Sequence, residues 1–477
     1  MTTAVSIPRI GYDDLLKDVF RNRKAVAGER AIKAEETVFL PPLPSMCCYQ
    51  IGDEQNGFQM IRSRNITLEG RSSYNIYLSL AYFYGATGRT VDGLTGLIFA
   101  KDAVCEIDSK IDYLKNNVDG KGNSLRDGAK LAVKEAMITP RSGLLVDYPN
   151  TTGQVSLLQE KVNNLKPKIL HYNFESIINW HYSVQNNEQK LTLVVLRETQ
   201  EIVKDRFTIE QEFQYRVLEL IDNVYYQSLY NSAGDEISES KIIMVNGNTS
   251  DVIPFFLIEV GAEKKAIIND LVDANLNHYR FFADYAAKEH ASAFPIFYET
   301  GTSGDDENII IGPSAKWSSR SVDAKFGVLQ TESDGGSMRQ YLLDMENRMA
   351  ALGAEMLKPR IASAESAEAK SLDQVAQNST TADVARTVSE SYAKALDFCS
   401  KWLGGQENAI YQLNTDYNPK AMDAQKLTSL ISGWQNGALS YETFYENLQR
   451  GEIASTKRTA LEEQTKINLE GSGLAND

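Results

Sequence analysis

No apolar run in this 477-residue chain approaches the roughly 18 residues that a membrane-spanning helix needs, so a spanning segment is not expected. Met1 to Arg9 lacks the charged start and apolar stretch of a secretory leader, which argues against export by that route. Cysteine is scarce. The four (Cys47, Cys48, Cys105 and Cys399) include a vicinal pair that cannot readily bridge to itself, and no Cys-x-x-Cys spacing occurs. Reduced, largely buried thiols are therefore expected. The four histidines (His171, His181, His278, His290) have no ligand spacing with the cysteines, so neither a metal nor a cofactor is expected. Positive charge is also short. A net charge of −15 argues against tight non-specific binding to nucleic acid, because that binding draws on cations that displace phosphate counterions. It does not choose between a channel that lets a duplex slide and no contact with DNA at all.

What remains is ordinary globular composition, 42% apolar and 24% charged, in a chain long enough for more than one packed unit. Near the N-terminus, Tyr12, Leu15, Leu16, Val19 and Phe20 form a helical stripe, with Arg21, Arg23, Lys24 and Arg30 expected on a solvated face. Phe39-Leu40-Pro41-Pro42-Leu43-Pro44 ends it as a rigid elbow. Residues 71–101 read as helix, turn and helix. The glycine series Gly85 to Gly96 lacks the Gly-Lys-Ser/Thr ending of a phosphate loop and reads as close helix packing instead. From Gly143 to Ile258 the period shifts toward two. Leu144 to Tyr148, Leu191 to Arg197, Phe207 to Leu220 and Lys241 to Val245 read as strands of an antiparallel sheet, giving an α+β body.

An out-and-back excursion follows. A helix predicted from Lys264 to Ala291 would be a rod of roughly 40 Å, with Ile268, Leu271, Val272, Tyr279 and Phe282 on one face. A short strand-like part, Phe294 to Tyr298 and Ile309 to Pro313, leads to a returning helix, Met338 to Leu357. On it Leu342, Met345, Met349, Leu352 and Met356 recur every 3.5 residues, the seam of a helix lying nearly parallel to a neighbour. Pro359 stops that helix, and a third runs from Glu365 to Trp402 with a kink expected at Ser379-Thr380-Thr381. Two long helices leading away from a body and back suit a subunit of a ring, each apolar stripe covered by neighbouring copies. In the tail, Leu427 to Trp434 and a helix capped by Ser440 have helix–turn–helix spacing. Glu442 and Glu446, with only Arg450 against them, make a poor groove reader, so a small packing unit is expected. Residues beyond Leu469 are expected to be unstructured.

Several stretches, in order, resemble the tailed-bacteriophage portal proteins, in the portal-like family first catalogued as a domain of unknown function. These are Phe39-Leu40-Pro41, Gly88 to Phe99, Arg141 to Pro149, Asn275 to Arg280, Glu346 to Ala354 and Glu365 to Ala369. The resemblance implies a closed ring, typically a dodecamer, at the capsid vertex of the virion. Residues 1–260 and 367–418 would be its wing, 261–291 and 331–357 its stem, 292–330 its clip, 358–366 a tunnel loop and 419–477 a short crown. It implies double-stranded DNA passing without sequence reading, a terminase large subunit and later a head-completion adaptor on the clip, and a major capsid or scaffolding protein around the ring. Lys358 and Arg360 would meet phosphates, with Glu365 as an alternative partner for one of them. Asp305, Asp306, Glu307 and Trp317 would form a polar rim with an aromatic anchor for the docking partner, although loop solvation explains the acids equally well. Tyr279, Phe282, Leu342, Met345, Met349, Leu352 and Met356 would pack stem against stem between subunits. No catalytic constellation is visible. Paired acids such as Asp305 and Asp306 on a loop do not by themselves fix a metal or a general acid, so an enzyme is not expected. A scaffold or adaptor with the same pillars but no channel is the other reading.

Overall fold

The computed structural model describes residues 4–51, 61–149, 165–185, 187–260, 265–293, 296–301, 323, 325–329, 335–353, 367–415, 417, 424–451, 453–455 and 458–473. Contacts divide the chain into two units, Met1–Asn414 and Thr415–Asp477. Helices and antiparallel sheets are mixed throughout the first, an α+β architecture.

The period-two region folds as a five-stranded antiparallel meander in which every strand pairs with the next in sequence. Its strands are Ile177–Gln185, Glu188–Val203, Ile209–Ile221, Val224–Tyr230 and Glu236–Ile242. Alternation gives each face its own core. Val194, Leu196, Leu218 and Leu220 bury on one side with Trp180, Tyr225 and Phe255. Val195 and Val217, one residue out of phase, bury on the other with Tyr12, Val19 and Phe174. The helix Tyr12–Ala27 thus lies on the second face, with the Tyr12 and Phe174 rings stacked 5.3 Å apart. A smaller antiparallel sheet places Ser142–Asp147 between Phe255–Ile258 and Lys168–Tyr172.

Two charged clusters sit inside this body. Arg216 reaches Glu198 at 2.7 Å, and the same carboxylate accepts hydrogen bonds from Tyr172 and Gln214. Arg23 bridges Glu135 and Glu175, donating at 2.6 Å to each. The expectation of a solvated Arg23 is therefore corrected. The helix Leu125–Ile138, opened by a Ser124–Asp127 capping box, carries Glu135 against the N-terminal helix, and a buried carboxylate requires a cation there. The Phe174 amide and the Thr139 hydroxyl satisfy more of the same carboxylate.

The glycine series lies in the helix Ala86–Ile98, after Leu68–Leu80 and a turn, as the spacing predicts. The third long helix runs unbroken over Ala367–Trp402, so Ser379-Thr380-Thr381 causes no interruption. In the second unit, Ser440 caps the helix Tyr441–Arg450 by accepting from the Thr443 amide at 3.1 Å. A further helix, Ala460–Gly473, extends through residues expected to be unstructured.

Candidate functional site

The outgoing helix spans Asn269–Ala293 and the returning one Gly336–Gly353. They pack antiparallel, and their contacts share one register. Gly335 meets Glu289 and Tyr285 at one end. Tyr341 and Phe281 rings lie 4.5 Å apart further along, and Glu346 meets His278 after that. Gly353 abuts Leu271 at the other end. The hairpin of Ile296–Thr300 and Lys325–Leu329 pairs Ile296 with Leu329, which continues the same register outward. Gly335 has a positive φ of 61°, and a Cβ there would lie 2.1 Å from a Glu289 carboxylate oxygen. Glycine suits that entry into the return helix on both counts.

The body grips the outgoing helix at successive turns. Asn22 Nδ2 donates to Asn269 Oδ1 at 2.7 Å and to the Ile138 carbonyl at 2.8 Å. Arg21 pairs with Asp273 at 2.6 Å, Arg280 donates to the Phe39 carbonyl at 2.9 Å, and the Tyr77 hydroxyl donates to Asp284 at 2.6 Å. Burial, aided by Asp284, pushes the Tyr77 phenol above its ordinary pKa, so it remains a donor. All fully buried residues of this helix fall between Asn269 and Ala283, and those of the return helix between Leu342 and Gly353. Both helices are therefore rooted at one end, and toward the hairpin Gly335, just ahead of the return helix, is buried against the outgoing helix.

Several expected stem residues are covered by this same chain, which corrects the reading that neighbours cover them. Tyr279 is fully buried edge-on to Phe83 at 5.9 Å, and Leu342, Met345 and Met349 are buried too. Met349 joins Leu271 and Ala86 in a core at the root. Phe282 is half-buried against Tyr82 at 5.6 Å. Leu352 is 53% exposed, and Gly353 takes its place on the seam. The reason is geometric: a helix of 3.6 residues per turn drifts away from a strict 3.5-residue repeat. Tyr341, Leu343 and Leu352 are left as exposed apolar positions of the return helix. Met356, Lys358, Arg360, Glu365, Asp305, Asp306, Glu307 and Trp317 lie outside the described residues.

A polar group at the root was missed in the sequence. His278 is buried, stacks near Tyr84 and Phe282, and approaches Glu346 with Nε2 at 3.3 Å. Burial lowers its pKa, against the opposing pull of Glu346. Thr87, Thr90, Asn275 and Tyr279 bring further buried polar atoms without protein partners. Asn275 and His278 interrupt the apolar stripe that runs through Leu271 and Tyr279, and that interruption was the available signal. Among the described residues no three His, Cys, Asp or Glu side chains gather as metal ligands, and no helix is long and apolar enough to cross a membrane. The arrangement is an antiparallel helix pair whose buried residues gather against the body.

Residues 268–403 match a family described as a domain of unknown function (DUF4055), a span that covers the outgoing helix, the hairpin, the return helix and the long third helix. No curated protein matches the chain. Among solved structures, the chain is similar to one from the neck of an empty GTA particle computed with C6 symmetry. Identity there is 11%, with 78% of this chain and 91% of that chain covered and a TM-score of 0.37.

Proposed function

We propose that this protein is the subunit of a phage-type portal, a ring that conducts double-stranded DNA into and out of a capsid and has no chemistry of its own. The observation that carries the reading is the out-and-back helix pair. Its root is fixed in the body by Asn22, Arg21, Arg280 and Tyr77, and one register extends through it into the distal hairpin. A rod of 25 residues is about 37 Å long, enough to act as a stave in a channel wall. Exposed Tyr341, Leu343 and Leu352 supply apolar contact for an adjacent stave. The ordered sequence stretches that resemble portal proteins support the same conclusion, and the acidic net charge suits a wall that does not grip phosphates.

On this reading the ring is a dodecamer in the virion, assembled in the host cytoplasm with a capsid or scaffolding protein. Its hairpin end meets the terminase large subunit during packaging and a head-completion adaptor afterwards. Lys358 and Arg360 touch the passing duplex. The purified protein is expected to sediment as a large closed ring with an axial opening in electron micrographs. Lys358→Ala with Arg360→Ala is expected to preserve that ring while reducing genome packaging. A protein that stays monomeric at high concentration defeats the ring, and an intact ring whose packaging ignores the double substitution favours a non-conducting scaffold or adaptor.

A further inference from the structure

The body holds the two helices of the pair unequally. Polar contacts tie the outgoing helix at successive turns, through Asn269, Asp273, Arg280 and Asp284. The return helix is held differently. Among the described residues from 337 to 353, the one side-chain hydrogen bond that leaves the helix joins Glu346 to His278, at 3.3 Å. The rest of its hold is apolar packing, with Met349 in the root core, Gly353 against Leu271 and the Tyr341 ring on Phe281.

That contact is fitted to one protonation state. His278 is 1% exposed, with the Tyr84 and Phe282 rings 5.7 and 6.2 Å from the imidazole. With its proton on Nε2 the imidazole donates to the Glu346 carboxylate. Nδ1 is buried and meets no partner. On a neutral imidazole that leaves a bare acceptor. A second proton puts a charged N–H at the same buried place with nothing to receive it, which costs more. Asn275, one turn earlier, is buried with both amide atoms unmet, so it does not supply the acceptor. Few charges face the imidazole. The return helix brings Glu346, and the segment before the helix Ala86–Ile98 brings the Tyr84 phenol, on which Arg89 also acts. Burial raises the Tyr84 pKa, so the phenol stays neutral in acid. Burial opposes the charged imidazole, and the attraction of Glu346 does not overcome it.

We infer that His278 is a proton-sensitive clasp, whose protonation in acid lets the return helix part from the root while the outgoing helix stays anchored. Parting gives both ring nitrogens to water and ends the burial of the charge. The direction follows from linkage. The open imidazole takes its proton near the ordinary value of 6.5, and the closed one only at lower pH. The closed clasp is therefore fully favoured above about pH 6.5 and loses ground as pH falls below it. The device lies within one chain and does not depend on the portal reading.

Hydrogen exchange of the full-length protein between pH 7.5 and 5.0 tests this, with protection taken relative to the intrinsic rate at each pH. Protection of residues 336–353 is expected to fall by about threefold or more in acid, while the sheet core at Val194 and Leu196 keeps its own. In His278→Gln the fall is expected to vanish. Glu346→Gln is expected to move its midpoint to lower pH, because no carboxylate then draws the proton onto the imidazole. An equal fall in wild type and His278→Gln overturns the clasp. Protection that rises with acid also overturns it, since the charged pair with Glu346 would then close the root further. Should His278→Gln misfold, Glu346→Gln decides by itself, and a midpoint that stays or rises overturns the inference.

Discussion

His278 on the outgoing helix and Glu346 on the return helix meet at 3.3 Å, although 68 positions separate them in the chain. The imidazole is buried between Tyr84 and Phe282, and its Nε2–H is the group able to donate to the carboxylate. The contact lies between the Phe281–Tyr341 ring pair and the Leu271–Gly353 junction. It therefore holds the two helices in register at the point where the rod leaves the body.

Two imidazoles, the buried His278 and the half-buried His171, make stability pH-dependent. Burial lowers the pKa of His278, and it lowers that of His171 to about 4. The unfolded chain takes up these protons near pH 6.5, whereas the folded chain resists them to lower pH. The stabilisation is whole above about pH 6.5 and is lost as pH falls toward 4. Calorimetry between pH 7.5 and 4.5 is expected to give a melting temperature that drops with acid, and a shallower drop in His171→Gln. An unaltered slope in that variant removes His171 from the account.

Gly353 has no room for a side chain. A Cβ there would stand 2.6 Å from Leu271 Cδ2 and 2.8 Å from Thr90 Oγ1, both in the buried root. Gly353→Ala is expected to destabilise by about 1–3 kcal/mol through overpacking, despite the better helix propensity of alanine. Urea unfolding checks this. A stabilised variant would mean that the return helix is not pressed against the body there.

Arg23 holds two carboxylates, and the Glu135 side chain is only 7% exposed. Arg23→Met leaves that charge buried without its cation, at an expected cost of about 2–4 kcal/mol, discounted because Arg23 itself keeps some contact with solvent. Adding Glu135→Gln is expected to recover part of the loss. Chemical denaturation of the two single variants and the double variant closes the cycle, and strictly additive losses would deny the coupling.

The return helix has an open face of its own. Leu343→Ser with Leu352→Ser is expected to leave the melting temperature of the unassembled chain within about 2 °C, because both side chains are exposed. Assembly by sedimentation is expected to weaken. Loss of folding without any change in assembly would mean that these leucines serve this chain's own core.

Much of the architecture was legible in local pattern. Period-two alternation marked the strands from Leu191 to Leu220, the spacing of Leu342, Met345 and Met349 marked the return helix, and Ser440 marked a helix start. Each signal arises within a few residues, where backbone geometry sets which side chains share a face. The reach of the two longest strands, Glu188–Val203 and Ile209–Ile221, was partly hidden. A strand beginning at Phe207 was expected, whereas pairing begins at Ile209 and Asp205 fixes a turn that leaves the aromatic in solvent. Periodicity cannot tell a covered strand from one that outruns its neighbours.

The sequence by itself determined most of the apolar faces, the helix start at Ser440, and that the long helices run out and back. Tertiary structure alone decided what lies on those faces: Phe83 on Tyr279, Gly353 rather than Leu352 at the seam, and Glu135 beneath Arg23. The physical reason is range. Helix and strand periods are written by neighbours a few residues apart, whereas Arg23 meets Glu135 across 112 positions and Phe39 meets Arg280 across 241, contacts that form only when the whole body closes.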